Sequence, residues 1–278
     1  MGKRKISEAY LQRFAEYLQQ EEKSKATQTK YLRDIRLFVH FAEEREIDKV
    51  LLREWKEYLH KRYAVRSVNA MLASINSFLG FMGWEDCKVK NLRFQRQTYC
   101  PQEKELTKEE YLALLRAARK DEQLYLLLQT ICATGIRVSE LQFFTVESIK
   151  RGEIRVNCKN KTRTILIPGR LKKQLAAFVQ RRKIKSGSIF ISKQGGVLDR
   201  SSIWRKMKKL CVAAGVAEGK VFPHNLRKLF ARSFYALHKD IAKLADILGH
   251  SSIDTTRIYI MTTGAEHLRK IERLGLVV

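Results

Sequence analysis

Apolar residues recur at helical spacing through the first hundred positions. Ile6, Tyr10, Leu11, Phe14 and Leu18 form one such set, and Tyr31, Ile35, Phe38 and Ala42 a second. Leu51, Leu52, Trp55, Tyr58 and Leu59 mark a third helix. Val68, Met71, Leu72, Ile75, Phe78, Leu79 and Met82 mark a fourth, with Ser67 placed as its N-cap. Apolar stripes of this kind bury themselves against one another, so a small helical bundle is expected over residues 1–90. Residues 86–105 lose the periodicity and carry Lys88, Lys90, Arg93 and Arg96. They read as an extended basic connection, with the linker itself at 91–104.

A second unit is expected over 105–278. Thr107 and Glu110 form a capping-box pair ahead of Tyr111, Leu114 and Leu115. Glu153–Cys158 and Thr164–Ile167 alternate or carry β-branched residues and read as two strands around a turn at Lys159–Arg163; Ser188–Ile191 is a weaker third. Helical spacing returns at Leu171–Val179, Ser202–Val212, Asn225–Leu237 and Ile241–Leu248. A further helix is expected from an N-cap at Ser251, and another over Glu266–Leu274. The fold class is mainly α with a small β-sheet: a helical bundle followed by a mixed α/β domain.

Charge adds a partner to this picture. Across 278 residues, 55 Lys and Arg stand against 29 Asp and Glu, a formal +26, of which +7 lies in residues 1–100 and +19 beyond. With 45% hydrophobic residues the chain is not a disordered basic tail. Such an excess calls for a polyanion, nucleic acid before membrane surface. The N-terminus lacks the apolar stretch of a secretory signal, and no apolar run approaches the roughly 18–20 residues of a membrane span. Five cysteines without C-x-x-C spacing read as reduced thiols, and a cytoplasmic protein is expected.

Phosphate-loop, dinucleotide and metal signatures are absent, so neither cofactor nor metal is expected. Three dispersed carboxylates of a two-metal nuclease have no spacing to support them. What remains is His224 and Arg227 on one face of a helix begun just after Pro223, His250 after Gly249, Tyr259 nine residues on, and Arg137 after Gly135. Singly each has an ordinary reading: Arg137 as a salt bridge to Glu140, Tyr259 as a core aromatic, the His–Arg pair as surface. Jointly they have a chemical logic. Two arginines neutralise a phosphodiester in its pentacoordinate transition state, and a tyrosine attacks phosphorus and keeps it as an ester. A hairpin lysine protonates the leaving oxygen, and histidines manage the tyrosine proton.

The segments Ala133–Leu141 (ATGIRVSEL), His224–Arg227 (HNLR) and Leu248–Tyr259 (LGHSSIDTTRIY) strongly resemble, in order and interval, the boxes of the tyrosine recombinase (phage integrase) family. The resemblance implies a SAM-like core-binding bundle and a catalytic domain forming a C-shaped clamp on double-stranded DNA. It implies Tyr259 as the nucleophile of a 3′-phosphotyrosyl bond, and Arg137 and Arg227 as holders of the scissile phosphate. His224 would be the general base and His250 a phosphate ligand. The family's hairpin lysine would be Lys159, counted from Gly152, with Lys161 as the alternative. It further implies a tetramer on two DNA sites, with residues 265–278 reaching into a neighbouring subunit. With the first helix starting near Ile6, a short Xer-like member without an arm-binding domain is expected. A DNA-binding regulator that lost catalysis, and a monomeric type IB topoisomerase, are the other classes to weigh.

Overall fold

The structure is a computed structural model that describes residues 4–93, 105–158, 161–192, 194–261 and 264–276. It divides into two compact units, Met1–Arg96 and Gln97–Val278.

The first unit is built on α1 (Glu8–Gln20), α2 (Lys25–Ala42), α3 (Lys49–Arg62) and α4 (Val65–Phe81). The stripes read from the sequence supply its core, with Phe14, Leu18, Ile35, Phe38, Leu52, Leu59, Leu72 and Phe78 fully buried. One carboxylate lies inside: Asp34 accepts from Lys30 Nζ at 2.5 Å and from Ser74 Oγ at 2.9 Å, which offsets the cost of burying its charge. Helix α4 begins one turn earlier than expected. Its N-cap is Ala64, with no side-chain cap bond, and Ser67 lies in the first turn, where the Ala64 carbonyl accepts from the backbone N–H groups of Ser67 and Val68.

The chain stays packed beyond α4. Cys87 and Val89 are buried, and the side-chain amides of Asn76 and Asn69 each bond in both directions to the backbone, at Val89 and Leu92 respectively. Residues 86–92 are therefore part of the bundle rather than an extended connection. Of the expected linker, residues 94–104 lie outside the described residues.

The second unit opens with α5 (Lys108–Ala117), capped by Thr107 and Glu110 as a reciprocal capping box. It continues through α6 (Glu122–Thr134), α7 (Val146–Arg151), β1 (Glu153–Cys158), β2 (Lys161–Leu166), α8 (Gly169–Arg181) and α9 (Arg200–Ala214). Then come α10 (Pro223–His238), α11 (Ile241–Leu248), α12 (Ile253–Ile260) and α13 (Gly264–Glu272). The sheet is an antiparallel β1–β2 pair, with Val156 opposite Arg163 and Ile154 opposite Ile165. Lys161 already pairs with Cys158, so the expected turn at 159–163 is shorter and Arg163 belongs to a strand. The expected third strand does not form: Ser188 and Ile191 make only isolated bridges, to Thr145 and Val197, while Ile189 and Phe190 are buried in the core. On α13 and just beyond it, Leu268, Ile271, Leu274 and Leu276 are exposed.

Candidate active site

Three bends of the second unit bring the expected residues together. Helix α6 ends at Gly135, whose φ of +63° suits glycine, and whose missing side chain leaves room for Phe230; a Cβ there would lie 2.4 Å from Phe230 Cδ1. Ile136 is then buried, and Arg137 emerges at the start of a 3-10 turn, Val138–Phe143. Glu140 seats it. This wholly buried carboxylate accepts from the Arg137 backbone N–H at 2.6 Å and from its Nη1 at 3.3 Å, while Nη2 donates to the Gly249 carbonyl at 3.3 Å.

Helix α10 begins with Pro223, whose missing N–H costs nothing there. His224 and Arg227, three apart, share a face. Arg227 is 1% exposed and spends its fork on the Gly135 carbonyl, the Leu248 carbonyl at 2.7 Å and His250 Nε2 at 2.9 Å. Burial and the neighbouring charge of Arg137 pull its pKa down to about 10, against a favourable interaction with Tyr259.

Helix α11 closes on Gly249 (φ +63°), and the next N–H, that of His250, bonds back to the Ala245 carbonyl. This Schellman-type close fixes His250 immediately past the helix. Residue 250 is thereby occupied, and the cap of α12 falls on Ser252 rather than the expected Ser251, accepting from Asp254 N–H. Two turns later Tyr259, 9% exposed, packs against both histidines, with both ring centroids 4.9 Å from its own. The Arg227 guanidinium lies 5.6 Å from the tyrosine ring centre. Burial and the charges of Arg227, Arg137 and Arg163 depress His250 to about 4. His224, more open to solvent, is also lowered, by its enclosure and by Lys228, Arg227, Arg137 and Arg200.

Arg137, His224, Arg227 and Tyr259 line one cleft of about 650 Å³, with Arg200 and Trp204 on its wall. His250 holds Arg227 from behind. The ordinary readings were partly right as well: Arg137 is a salt-bridge partner of Glu140 and Tyr259 is a core aromatic, packed with Ala231, Leu244 and Leu248. Lys159 lies outside the described residues, and Lys161 opens β2. Among the described residues no cluster of His, Cys, Asp or Glu is placed to hold a metal ion.

Several contributors escape a reading of the sequence. Thr256, fully buried, meets His250 Nδ1 at 2.9 Å. Arg163 reaches Glu140 from β2. Its signal was available: once Lys161 is in the strand, Arg163 shares the inward register with Ile165 and Ile167, and an inward arginine needs a buried partner.

Comparison with known proteins bears on the same residues. A family model described as "Phage integrase family" matches residues 104–266, and one described as "Phage integrase, N-terminal SAM-like domain" matches 11–86. Tyrosine recombinase XerA of Pyrococcus furiosus is 30% identical over 100% of this chain and 98% of that protein. The crystal structure of a XerA recombinase, 27% identical, covers 98% of this chain and 99% of its own, with a TM-score of 0.55. A lambda integrase tetramer bound to a Holliday junction shares the fold at 19% identity and a TM-score of 0.72, over 91% of this chain and 76% of that one. No helix among the described residues is long and apolar enough to cross a membrane.

Proposed function

The chain belongs to the phage integrase family of tyrosine recombinases, and from that membership we propose a site-specific recombinase that cuts and rejoins DNA through Tyr259. One observation carries the assignment of roles: a tyrosine in ring contact with two histidines that shares a single cleft with His224, Arg137 and Arg227.

Tyr259 Oη attacks the scissile phosphorus. Its proton passes to His224, which is neutral near pH 7 because its pKa lies below the ordinary 6.5. The new bond is a 3′-phosphotyrosyl ester. The bond to the 5′ oxygen breaks, and that oxygen takes a proton from the hairpin lysine, Lys159 or Lys161. Arg137 and Arg227 stabilise the charge that builds on the non-bridging oxygens, in a cleft where like cations are already gathered. Attack by a 5′-hydroxyl of another strand reverses the step and joins it. His250, 2.9 Å from Arg227 Nη2, serves the phosphate by orienting that arginine.

The partner is double-stranded DNA, in keeping with the +26 charge, and the working form is a tetramer on two sites. The exposed Leu268 and Ile271 on α13, within the segment 265–278, suit a contact with a neighbouring subunit. The reaction takes place in the cytoplasm, without metal or cofactor.

The test is a nicked suicide duplex carrying a site recovered by selection from random-sequence duplexes. Wild type should form a denaturation-resistant adduct with it, and Tyr259→Phe none. An adduct with the phenylalanine variant, or tight binding by wild type without any adduct, sinks the proposal.

A further inference from the structure

Arg163 stands on β2 facing inward, with only 12% of its side chain exposed, and it does not line the cleft. Its fork is divided between two partners. Nη2 donates to Glu140 Oε2, and Nη1 donates to the carbonyl of Ile247 in the last turn of α11. Both partners lead to Arg137, which donates to Glu140 Oε1 and to the carbonyl of Gly249, two residues past Ile247. The shaft of Arg163 also runs close over that glycine, with Cδ 2.5 Å from where a Cβ would stand.

Glu140 is 0% exposed, and a buried carboxylate is stable only beside a close cation. Arg137 meets that need loosely: its side chain is 41% exposed and its guanidinium contact is 3.3 Å long. Arg163 is the tighter and more buried partner. We infer that Arg163 is a positioning residue which neutralises Glu140 and clamps the Ile247–Gly249 turn, so that the Arg137 guanidinium stays available to a phosphate in the cleft. Without Arg163, Glu140 draws Arg137 onto itself and away from the substrate. Position on the strand explains why it can do this, since the β1 pairing holds Arg163 opposite Val156 whatever occupies the cleft. The inference rests on the recombinase reading, because the phosphate in question is the one proposed for Arg137.

The experiment uses the full chain and the selected suicide duplex in two forms, one with an ordinary scissile phosphate and one with a methylphosphonate there. The methylphosphonate lacks the non-bridging charge that an arginine neutralises. Arg137→Ala sets the pattern, with a large loss of cleavage on phosphate and a much smaller one on methylphosphonate. Arg163→Ala should follow it, with single-turnover cleavage at saturating DNA slowed on the order of ten- to a hundredfold, as for other residues that orient a catalytic group. DNA affinity should stay unchanged, and most of the lost rate should return on methylphosphonate. Adding Glu140→Gln to Arg163→Ala should restore part of the rate on phosphate, since the carboxylate that captures Arg137 is then neutral.

A merely structural role predicts equal losses on both substrates. That result, or undiminished cleavage by Arg163→Ala, overturns the inference while leaving the wild-type adduct in place. Failure of wild type to form an adduct overturns the reading beneath it. If Arg163→Ala does not fold, Arg163→Lys provides the same contrast in weaker form, since a single ammonium keeps the charge but does not span both partners.

Discussion

Arg227 Nη2 and His250 Nε2 stand 2.9 Å apart, and that contact decides the tautomer of the histidine. A guanidinium only donates, so Nε2 carries the lone pair and the ring proton sits on Nδ1, directed at Thr256 Oγ1. Protonating His250 would set a second charge against Arg227, in keeping with its depression to about 4. In the unfolded chain the same imidazole takes up its proton near the ordinary 6.5. Unfolding free energy should therefore fall as pH drops from about 6.5 towards 4, and the lowered His224 adds to the slope in the same direction. Urea unfolding across that interval measures the slope, and His250→Gln should flatten it. An imidazole resonance of His250 titrating near 6.5 in the folded protein would refute the arrangement.

Arg227→Lys is expected to fail twice. A lysine cannot meet the carbonyls of Gly135 and Leu248 and the His250 nitrogen in one plane. Each acceptor left buried without a donor costs about 1–3 kcal/mol, so chemical denaturation should show a loss of about 2–4 kcal/mol. Adduct formation should be lost even at temperatures where the variant is folded.

Gly135 and Gly215 share a φ near +60°, yet only Gly135 is crowded, by Phe230 and Leu248. Alanine at Gly215 should cost about 1–2 kcal/mol for the left-handed backbone alone. At Gly135 a further overpacking term of about 1–3 kcal/mol is expected, together with slower cleavage, because the Gly135 carbonyl anchors Arg227. Equal thermal shifts for the two variants would show that Phe230 yields freely.

Since Arg137 and Arg227 are to supply the charge that a metal supplies elsewhere, adduct formation should persist in excess chelator. Loss of the adduct on chelation, restored by added magnesium, would assign that charge to an ion instead.

DNA affinity should fall steeply with salt, linearly in logarithmic coordinates, as counterions are released from each neutralised phosphate. A titration in rising potassium chloride gives the slope. A flat line would make the +26 a matter of solubility.

How far the sequence reveals this molecule depends on the range of the interactions involved. Local signals carried well: the Thr107–Glu110 box, the Pro223 start and the Gly249 close all stand where their chemistry puts them. Helix edges moved at Ser67, which lies inside the first turn of its helix, and at Ser251, where the close of the preceding helix passes the cap on to Ser252. The residues around the cleft are recognisable because His224 and Arg227 share a helix, Arg137 and His250 follow glycines, and Tyr259 stands nine residues after His250. Thr256 as a tautomer lock and Arg163 as a clamp are different. Arg163 and Glu140 are 23 residues apart, and nothing local marks the pairing until the register of β2 is known. The Ser188–Ile191 run shows the converse, since Ile189 and Phe190 are used as core filling while the backbone around them makes only isolated bridges and never a ladder.

Arg137 and Arg163 share a single buried acid, Glu140, their charges bear on Arg227, and Lys228 and Arg200 lie close enough to depress a histidine. The cleft thus keeps like charges closer together than the fold would choose for its own sake. Heat resistance and catalytic competence then pull in opposite directions in this unit. The chain should gain ruggedness whenever a polyanion settles there, so the substrate acts as a structural component of the enzyme that it briefly becomes bonded to.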